Sequence, residues 1–342
     1  MNILQFSRIQ LVFAVVVTVL LSLSGCNHAV QNSFNGEVRY IASFDTLQTL
    51  LGNKLPYIKS FYFYGCEVYY PYLLLSLAKQ DSLLAVYDLE TKEFIGNYFS
   101  IGGGPDDFRS FVITNQSKSS ILTVNDIYNK KLKMICLPKT FNNNQVVYEK
   151  ILAYEGVHEM VFSVDSMWWM KSVLDGEITY TCSESGFPPK MLYKESIGRM
   201  DLDNMLVLSD AIKPDGSKIV SLSGILDQID ILSLHTEEKN FSVTTSQELV
   251  TIQQLQDNNY RNVHEYFLAV PRCNDSYIMA LHVCPDTNQK SLYVIDWNGK
   301  GVANYLIDED IVDFCVDWHR ELIYGITESE EVYEYNFKLV GC

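Results

Sequence analysis

Short apolar runs recur along this chain at a spacing of about 48 residues, and this repeat limits the fold more than any other feature. Each unit contains pairs of runs rich in Val, Ile, Leu, Tyr and Phe, separated by polar turns, as in residues 81–99, 290–307 and 320–337. Runs of this length and composition predict β-strands. Long helical periodicity is nearly absent after the N-terminal segment. The chain is therefore predicted to be all-β and built from repeats.

Six such units fit between residues 57 and 342. A four-stranded propeller blade needs roughly 40 to 50 residues, so the sequence predicts a six-bladed β-propeller, with residues 37–342 as the propeller domain. The predicted blades are 57–104, 105–155, 156–200, 201–246, 260–310 and 311–342.

The last predicted blade is one strand short, because only three strand-like runs follow residue 311. An open sheet edge exposes unpaired backbone groups, so we expect an N-terminal strand to close this blade. Residues 37–44, EVRYIASF, are the predicted closing strand. Residues 45–56 and 246–259 are predicted to be short helices or loops that join elements.

The first 25 residues predict a secretory signal. Arg8 is the only charged residue among the first 35, and the apolar stretch after it is too short and too sharply ended for a permanent membrane span. The stretch closes on Leu23–Cys26, which resembles the lipobox of secreted lipoproteins. The resemblance implies cleavage before Cys26 and a lipid on its thiol, with residues 26–36 as a polar tether. The alternatives are a buried core strand or an ordinary signal peptide whose cysteine is incidental.

A lipid on Cys26 predicts membrane attachment without a spanning helix. Each buried acyl CH₂ contributes roughly 0.8 kcal/mol of membrane affinity, so several chains on one residue hold a protein firmly. The residues after Cys26 include neither an aspartate directly after it, which retains some lipoproteins at the inner membrane, nor an acidic pair that directs others to the cell surface. We therefore expect an outer-membrane lipoprotein that faces the periplasm, with surface exposure left open.

The charge of the chain excludes one class of partner. Removal of residues 1–25 leaves 25 basic and 42 acidic residues and a net charge of −17. Such a charge argues against binding to nucleic acid or to anionic lipid surfaces. Seven cysteines remain besides Cys26, without a CxxC pair or metal-like spacing. The pairing of any disulfides cannot be deduced from these spacings.

Three segments resemble the TolB-like six-bladed β-propeller lipoproteins of outer-membraned bacteria. They are IGGGPDDF at 101–108, AIKPDGSKIVSLSG at 211–224, and residues 294–327. The resemblance implies the propeller fold and an envelope location. Members of this family generally lack an assigned activity, so the resemblance implies little about function.

The glycine-rich turn of the first segment has two interpretations. Gly102, Gly103 and Gly104 are predicted to adopt positive φ between two blades, with Phe108 returning to the core. Alternatively, the glycine amides and Asp106 form a ligand-facing turn in which consecutive N–H groups bind an anion. The segment lacks the Lys-Ser/Thr end of a nucleotide-binding P-loop.

No catalytic or metal-binding motif stands out, so the sequence predicts no catalytic residues, no metal site and no cofactor. His158-Glu159 and His264-Glu265 each begin like the zinc motif H-E-x-x-H but lack its second histidine, and both are predicted to lie on strands. The acidic segment around Asp203 resembles a calcium loop without its glycine and closing glutamate.

These observations predict a non-catalytic binding or scaffold propeller. Its partners are the membrane, through the lipid anchor, and an envelope protein, peptide or glycan whose identity stays open. The alternative is a glycan or peptide hydrolase or lyase, since carboxylates on separate blades can pair without leaving a motif. Two or three acids with raised pKa at the channel mouth would favour the enzyme, whereas an apolar or evenly hydrated channel would favour binding.

Replacement of the lipobox cysteine tests the predicted anchor. We expect Cys26→Ser to retain its signal peptide and to incorporate no radiolabelled palmitate, because the acyl acceptor is the thiol. Acyl labelling equal to that of the wild type would overturn the lipoprotein interpretation.

Overall fold

The computed structural model describes twelve segments of the chain: 37–59, 62–78, 81–104, 106–114, 120–156, 158–164, 167–174, 177–184, 190–196, 208–233, 238–246 and 264–339. The predicted signal, Cys26 and the tether lie outside the described residues. The acidic segment around Asp203 and most of residues 246–259 also lie outside them.

Three short strands near the N-terminus precede the blades. They are β1 (Glu37–Tyr40), β2 (Thr46–Leu50) and β3 (Asn53–Lys54). The next twelve strands form blades 1 to 3 in chain order: β4 (Phe63–Tyr69), β5 (Tyr72–Leu77), β6 (Ser82–Asp88), β7 (Glu93–Ser100), β8 (Val112–Ile113), β9 (Ile121–Asp126), β10 (Lys131–Cys136), β11 (Tyr148–Ala153), β12 (Met160–Val164), β13 (Met167–Leu174), β14 (Glu177–Glu184) and β15 (Lys190–Ser196).

The remaining strands form blades 4 to 6. They are β16 (Leu208–Ile212), β17 (Lys218–Ser223), β18 (Ile229–Ser233), β19 (Phe241–Thr244), β20 (Phe267–Cys273), β21 (Tyr277–Val283), β22 (Lys290–Asp296), β23 (Gly301–Ile307), β24 (Ile311–Asp317), β25 (Leu322–Thr327) and β26 (Val332–Asn336). In each blade, consecutive strands pair antiparallel. Each of the six predicted units contains one sheet, so the predicted six-bladed propeller is confirmed.

One described helix, α1 (Leu137–Asn143), interrupts blade 2 between β10 and β11. Pro138 occupies its first turn, where the missing N–H costs nothing, and Asn144 ends it in the left-handed conformation. Leu137 and Phe141 are buried against blades 1 and 2. Sequence periodicity did not predict so short a helix. Within the described part of the chain, no helix has the length and apolar character needed to cross a membrane.

The ring is held by apolar side chains between neighbouring blades. Strand β4 of blade 1 contacts β24 of blade 6, and β20 contacts both β24 and β16, so the first strand of each of these blades lies innermost. Blade 6 packs against blade 1 through a buried cluster that includes Cys66, Tyr87, Cys315 and Tyr324. We call this contact the seam, because it joins the first blade to the last.

The N-terminal strands extend three successive blades. Strand β1 pairs parallel with β19 in blade 4, β2 pairs parallel with β23 in blade 5, and β3 pairs antiparallel with β26 in blade 6. The prediction that an N-terminal strand closes the last blade is confirmed. The prediction that residues 37–44 form this strand is wrong, because β1 adds a fifth strand to blade 4. The prediction of helix or loop for residues 45–56 is also wrong, since this segment contains β2 and β3.

Two leucines of β2 provide a matched test of this arrangement. Leu50 is 2% exposed in the core between blades 5 and 6, whereas Leu47 is 71% exposed on the same strand. We expect Leu50→Ala to lower the free energy of unfolding by about 2 to 5 kcal/mol, because it leaves a cavity. Leu47→Ala should change it by less than about 0.5 kcal/mol. Equal urea midpoints for both variants would contradict the packing of β2 in blade 5.

Candidate functional site

The inner strands of blades 1, 5 and 6 each contain a β-bulge next to a charged residue. Register shifts occur between Phe63 and Gly65 in β4, between Leu268 and Arg272 in β20, and between Ile311 and Asp313 in β24. In β20, Ala269 adopts a φ of 63°, which is rare for a residue with a side chain. Bulges redirect side chains and are frequent beside functional sites. Here each of the three strands contributes one charged residue to a shared cluster.

Arg272 of β20 joins the three inner strands through its guanidinium. Its Nη1 lies 2.8 Å from Oε1 of Glu67 in β4, and its Nη2 lies 3.6 Å from Oδ1 of Asp313 in β24. Its Nε donates to the carbonyl of Phe314 at 2.8 Å, and Nη2 donates to that of Cys66 at 3.0 Å. One side chain thus connects blades 1, 5 and 6. We call Arg272, Glu67 and Asp313 the axial triad.

Asp313 completes the link between blades 1 and 6. Its Oδ2 accepts the backbone N–H of Cys66 at 2.8 Å. Gly65 makes room for this carboxylate, because a Cβ at that position would lie 3.2 Å from Oδ2 of Asp313. Glycine therefore favours this close approach through its lack of a side chain and not through a positive φ.

Burial determines the protonation of the axial triad. It raises the pKa of Glu67 to about 7, against the effect of the neighbouring Arg272, and the charge of Asp313 adds to the rise. Burial also raises the pKa of Asp313, although Arg272 and two backbone hydrogen bonds oppose it. Burial alone would lower the pKa of Arg272, but the two carboxylates more than reverse this effect. One cation therefore faces two carboxyl groups, and burial raises the pKa of both, that of Glu67 to about 7.

A cavity of about 430 Å³ opens beside the triad where the inner strands end. Glu67 and Arg272 form part of its lining, and Glu67 is the more exposed of the two, with 13% of its side chain accessible. We call this cavity the channel mouth. Its other lining residues come from five blades: Val68, Tyr69 and Tyr70 of blade 1, Ser120 of blade 2, Pro214 of blade 4, Cys273, Asn274 and Asp275 of blade 5, and Val316, Asp317, Trp318, His319 and Arg320 of blade 6.

The rim of the channel mouth carries an arginine stacked on a tyrosine. The guanidinium carbon of Arg320 lies 3.0 Å from the ring centroid of Tyr70, and its Nη1 lies 3.3 Å from Oδ2 of Asp317. The Tyr70 hydroxyl donates to Glu90 at 2.8 Å. Asp317 also accepts the backbone N–H groups of His319 and Arg320, each at 3.1 Å. These contacts orient a cationic and aromatic surface at the entrance.

A second cavity, of about 730 Å³, lies where β20 and β24 begin. It is more acidic than the channel mouth, and Nζ of Lys290 pairs there with Oδ1 of Asp310 at 2.5 Å. Its acidic lining residues are Glu265, Asp308, Glu309, Asp310 and Glu328. Among the described residues, no group of three His, Cys, Asp or Glu side chains is arranged to hold a metal ion.

The predicted glycine-rich turn is filled by its own aspartate. Oδ2 of Asp107 accepts the N–H of Gly104 at 2.7 Å, and Oδ1 accepts the Ser100 hydroxyl at 2.5 Å. A Cβ on Gly102 would lie 2.2 Å from Oδ2 of Asp107. Neither Gly102, Gly103 nor Gly104 has the predicted positive φ, so that prediction is wrong. Gly102 and Gly104 serve close approach to Asp107 instead, whereas a Cβ on Gly103 would meet nothing within 4 Å. A ligand-facing role for this turn and for Asp106 stays a prediction.

The two His-Glu pairs do not lie on strands, which corrects that prediction. His158 precedes β12, and its ring nitrogens contact the Ser172 hydroxyl at 2.7 Å and the Glu155 carbonyl at 2.9 Å. His264 precedes β20, and its Nε2 lies 2.9 Å from the Val283 carbonyl. Both histidines therefore have partners within the protein.

The axial triad was missed by the sequence analysis. Glu67, Arg272 and Asp313 are far apart along the chain and follow no local motif. One signal is present in the sequence, since each is a charged residue flanked on both sides by uncharged residues of an innermost strand. Charged residues are almost never fully buried unless they are paired, so three such strands in one ring point to a shared ionic cluster.

Comparison with known proteins supports the fold. No family model matches the chain, and no curated protein matches its sequence. The structure is similar to that of a candidate exported protein from Bacteroides fragilis, with 11% identity and a TM-score of 0.51 over 87% of this chain and 98% of that chain. A DUF4221 family member from Bacteroides vulgatus has 10% identity and a TM-score of 0.48 over 86% of this chain and 98% of that chain. The propeller domain of Cps50 (Swd1) from Myceliophteria thermophila has 11% identity and a TM-score of 0.44 over 84% of this chain and 100% of that chain.

The raised pKa of Glu67 predicts a pH-dependent stability difference between the wild type and Glu67→Gln. Because the folded pKa lies above the unfolded value, the stabilisation from protonated Glu67 is fully present below pH 4.5 and is lost as the pH rises through about 7. We expect the stability of the wild type relative to Glu67→Gln to fall by up to about 3 kcal/mol over this range. Urea unfolding at several pH values measures it.

Glu93→Gln, which removes an exposed carboxylate from β7, controls for the loss of one negative charge. A difference between wild type and Glu67→Gln that stays constant or grows with pH would contradict the assignment of Glu67.

Proposed function

We propose that this chain is an exported, lipid-anchored propeller that binds a peptide or glycan of the cell envelope at its channel mouth without catalysing a reaction. The observation that carries the proposal is the channel mouth itself. Its lining comes from the ends of the inner strands and from turns of five blades, and it includes Glu67 and Arg272 of the axial triad. Binding sites are concave surfaces in which a few oriented polar groups supply specificity, and the channel mouth has this character.

The chemistry of the rim supports a partner of mixed character. Arg320 and Tyr70 offer a cation and an aromatic face, Trp318 adds a second aromatic ring, and Asn274 and Asp275 add polar and acidic groups. Peptides and glycans both present apolar faces beside hydrogen-bonding groups, so they match this lining. The acidic net charge of the chain disfavours nucleic acid.

The anchoring part of the proposal rests on the sequence. The segment Leu23–Cys26 resembles a lipobox, and the TolB-like resemblance implies an envelope location. The residues after Cys26 contain neither the inner-membrane nor the surface-export signal, so an outer-membrane anchor facing the periplasm is the default. The description of the Bacteroides fragilis protein as exported agrees with this location.

Photo-crosslinking in intact cells tests the proposed site. A benzophenone amino acid in place of Tyr70, at the mouth, should yield adducts of defined mass, because a bound partner lies within reach of the rim. The same amino acid in place of Tyr128, which is 76% exposed in the β9–β10 turn, is the matched control and should yield none. We also expect Arg320→Ala to reduce the adducts several-fold. Equal adducts from both positions, or none from position 70, would contradict the proposal.

A second candidate function is that of a carboxylate-based hydrolase or lyase acting on a glycan or peptide. One observation favours it. Glu67 borders the channel mouth with a pKa raised to about 7, the range that suits a general acid at neutral pH. The guanidinium at 2.8 Å already engages its Oε1, which is why binding stands first. Turnover of a glycan or peptide panel by the wild type that is lost in Glu67→Gln would favour the enzyme, and inactivity of both would count against it.

A further inference from the structure

The seam between blades 1 and 6 brings two cysteine thiols into contact. Cys66 lies in β4 and Cys315 in β24, with 2% and 0% of their surfaces exposed. Each thiol lies close enough to the other to influence its pKa. Both belong to the apolar cluster that packs the first blade against the last. The two cysteines thus lie together in one buried cluster that spans the seam.

Backbone contacts fix the relative position of the two cysteines. The N–H of Cys66 donates to Asp313, two residues before Cys315, at 2.8 Å. The thiol of Cys66 also lies 3.5 Å from the carbonyl of Tyr324, and Tyr324 is the residue paired with Cys315 between β24 and β25. Because these contacts cross the seam on both sides of the thiols, a slip of either strand would break them.

The seam is the place where a covalent bond would restrain this fold most. Within the described residues, the closing strand β3 pairs with β26 through only two residue pairs, Lys54 with Tyr333 and Asn53 with Glu334. A bond between Cys66 and Cys315 would enclose about 250 residues, and the loss of unfolded-chain entropy grows with the length of the enclosed loop. Five blades would be held in one covalent loop.

We propose that Cys66 and Cys315 form a disulfide that closes the propeller ring covalently. Its formation in the cell rests on the export part of the proposed function, since extracytoplasmic compartments permit disulfides. Cys273, another buried cysteine of an inner strand, lies on β20 with its thiol 3.1 Å from the carbonyl of Ile212.

The reaction is an exchange with the disulfide of a thiol–disulfide oxidoreductase or of glutathione. The Cys66 thiolate attacks one sulfur of the donor disulfide, which forms a mixed disulfide and releases one donor thiolate. The Cys315 thiolate then attacks the Cys66 sulfur and releases the second. The chain loses two protons and two electrons, and the donor gains both as two thiols.

The same burial that protects the bond decides when it forms. Burial raises the pKa of both thiols, so in the closed ring neither provides the thiolate that starts the exchange. The exchange therefore takes place before blade 6 docks on blade 1. Once the seam has closed, the bond is shielded from reductants.

Peptide mapping of the full-length chain tests the pairing directly. The purified protein is unfolded in detergent and urea with reductant, returned to folding conditions in a mixture of oxidised and reduced glutathione, and alkylated. Trypsin then releases residues 60–79, which contain Cys66 as their only cysteine, and residues 301–320, which contain Cys315 as their only cysteine. We expect these two peptides to be linked in most molecules, with a mass two hydrogens below their sum.

A matched variant and a second measurement complete the test. Cys273→Ala removes another buried inner-strand cysteine and should leave the linked peptide unchanged. Reduction of the linked protein should lower its urea midpoint measurably. Recovery of residues 60–79 and 301–320 only as separate alkylated peptides, or linked to other cysteines, would overturn the proposal. A link that forms in glutathione but is absent from protein taken directly from cells supports the pairing and counts against export.

Discussion

A single guanidinium, that of Arg272, connects the inner strands of blades 1, 5 and 6, and both the channel mouth and the seam are built around it. Transfer of an ion from water into a protein interior costs several kcal/mol of desolvation free energy. Close ion pairing and further hydrogen bonds must offset this cost. Two carboxylates and two backbone carbonyls surround Arg272 in this way. Because loss of the guanidinium would leave two buried carboxyl groups without a cation, the cluster favours one arrangement of the three blades. The orientation of the channel mouth follows from that arrangement.

The same physical solution recurs elsewhere in the ring. Lys171 of blade 3 and Asp210 of blade 4 form a buried ion pair at 2.9 Å, and the Tyr180 hydroxyl donates to the same aspartate. Apolar packing alone tolerates small slips between neighbouring sheets, whereas a buried ion pair does not. The blades of this propeller are therefore aligned by ionic contacts within apolar clusters. Of the two carboxyl groups paired with Arg272, Glu67 is the one that lines the channel mouth.

The fold was predictable from sequence because turn residues and apolar runs are local signals, and the six blades follow from their spacing. Which N-terminal segment closes the last blade could not be predicted from the sequence. Residues 37–44 and 53–54 contain no local pattern that distinguishes an edge strand of blade 4 from one of blade 6. The spacing of Leu47 and Leu51 resembles a helix, yet pairing with β23 makes this segment a strand. The axial triad was invisible for another reason: its residues meet only after the ring has closed, so no sequence window contains them.

The central claim, that Arg272 holds three blades through its charge, is tested most directly by the free energy of unfolding of two variants. Arg272→Met alone should lose about 3 to 5 kcal/mol, because it leaves two buried carboxyl groups without a cation. The same substitution combined with Glu67→Gln and Asp313→Asn should recover most of this loss, since no uncompensated charge remains. A combined variant less stable than Arg272→Met, with the costs adding, would contradict the account.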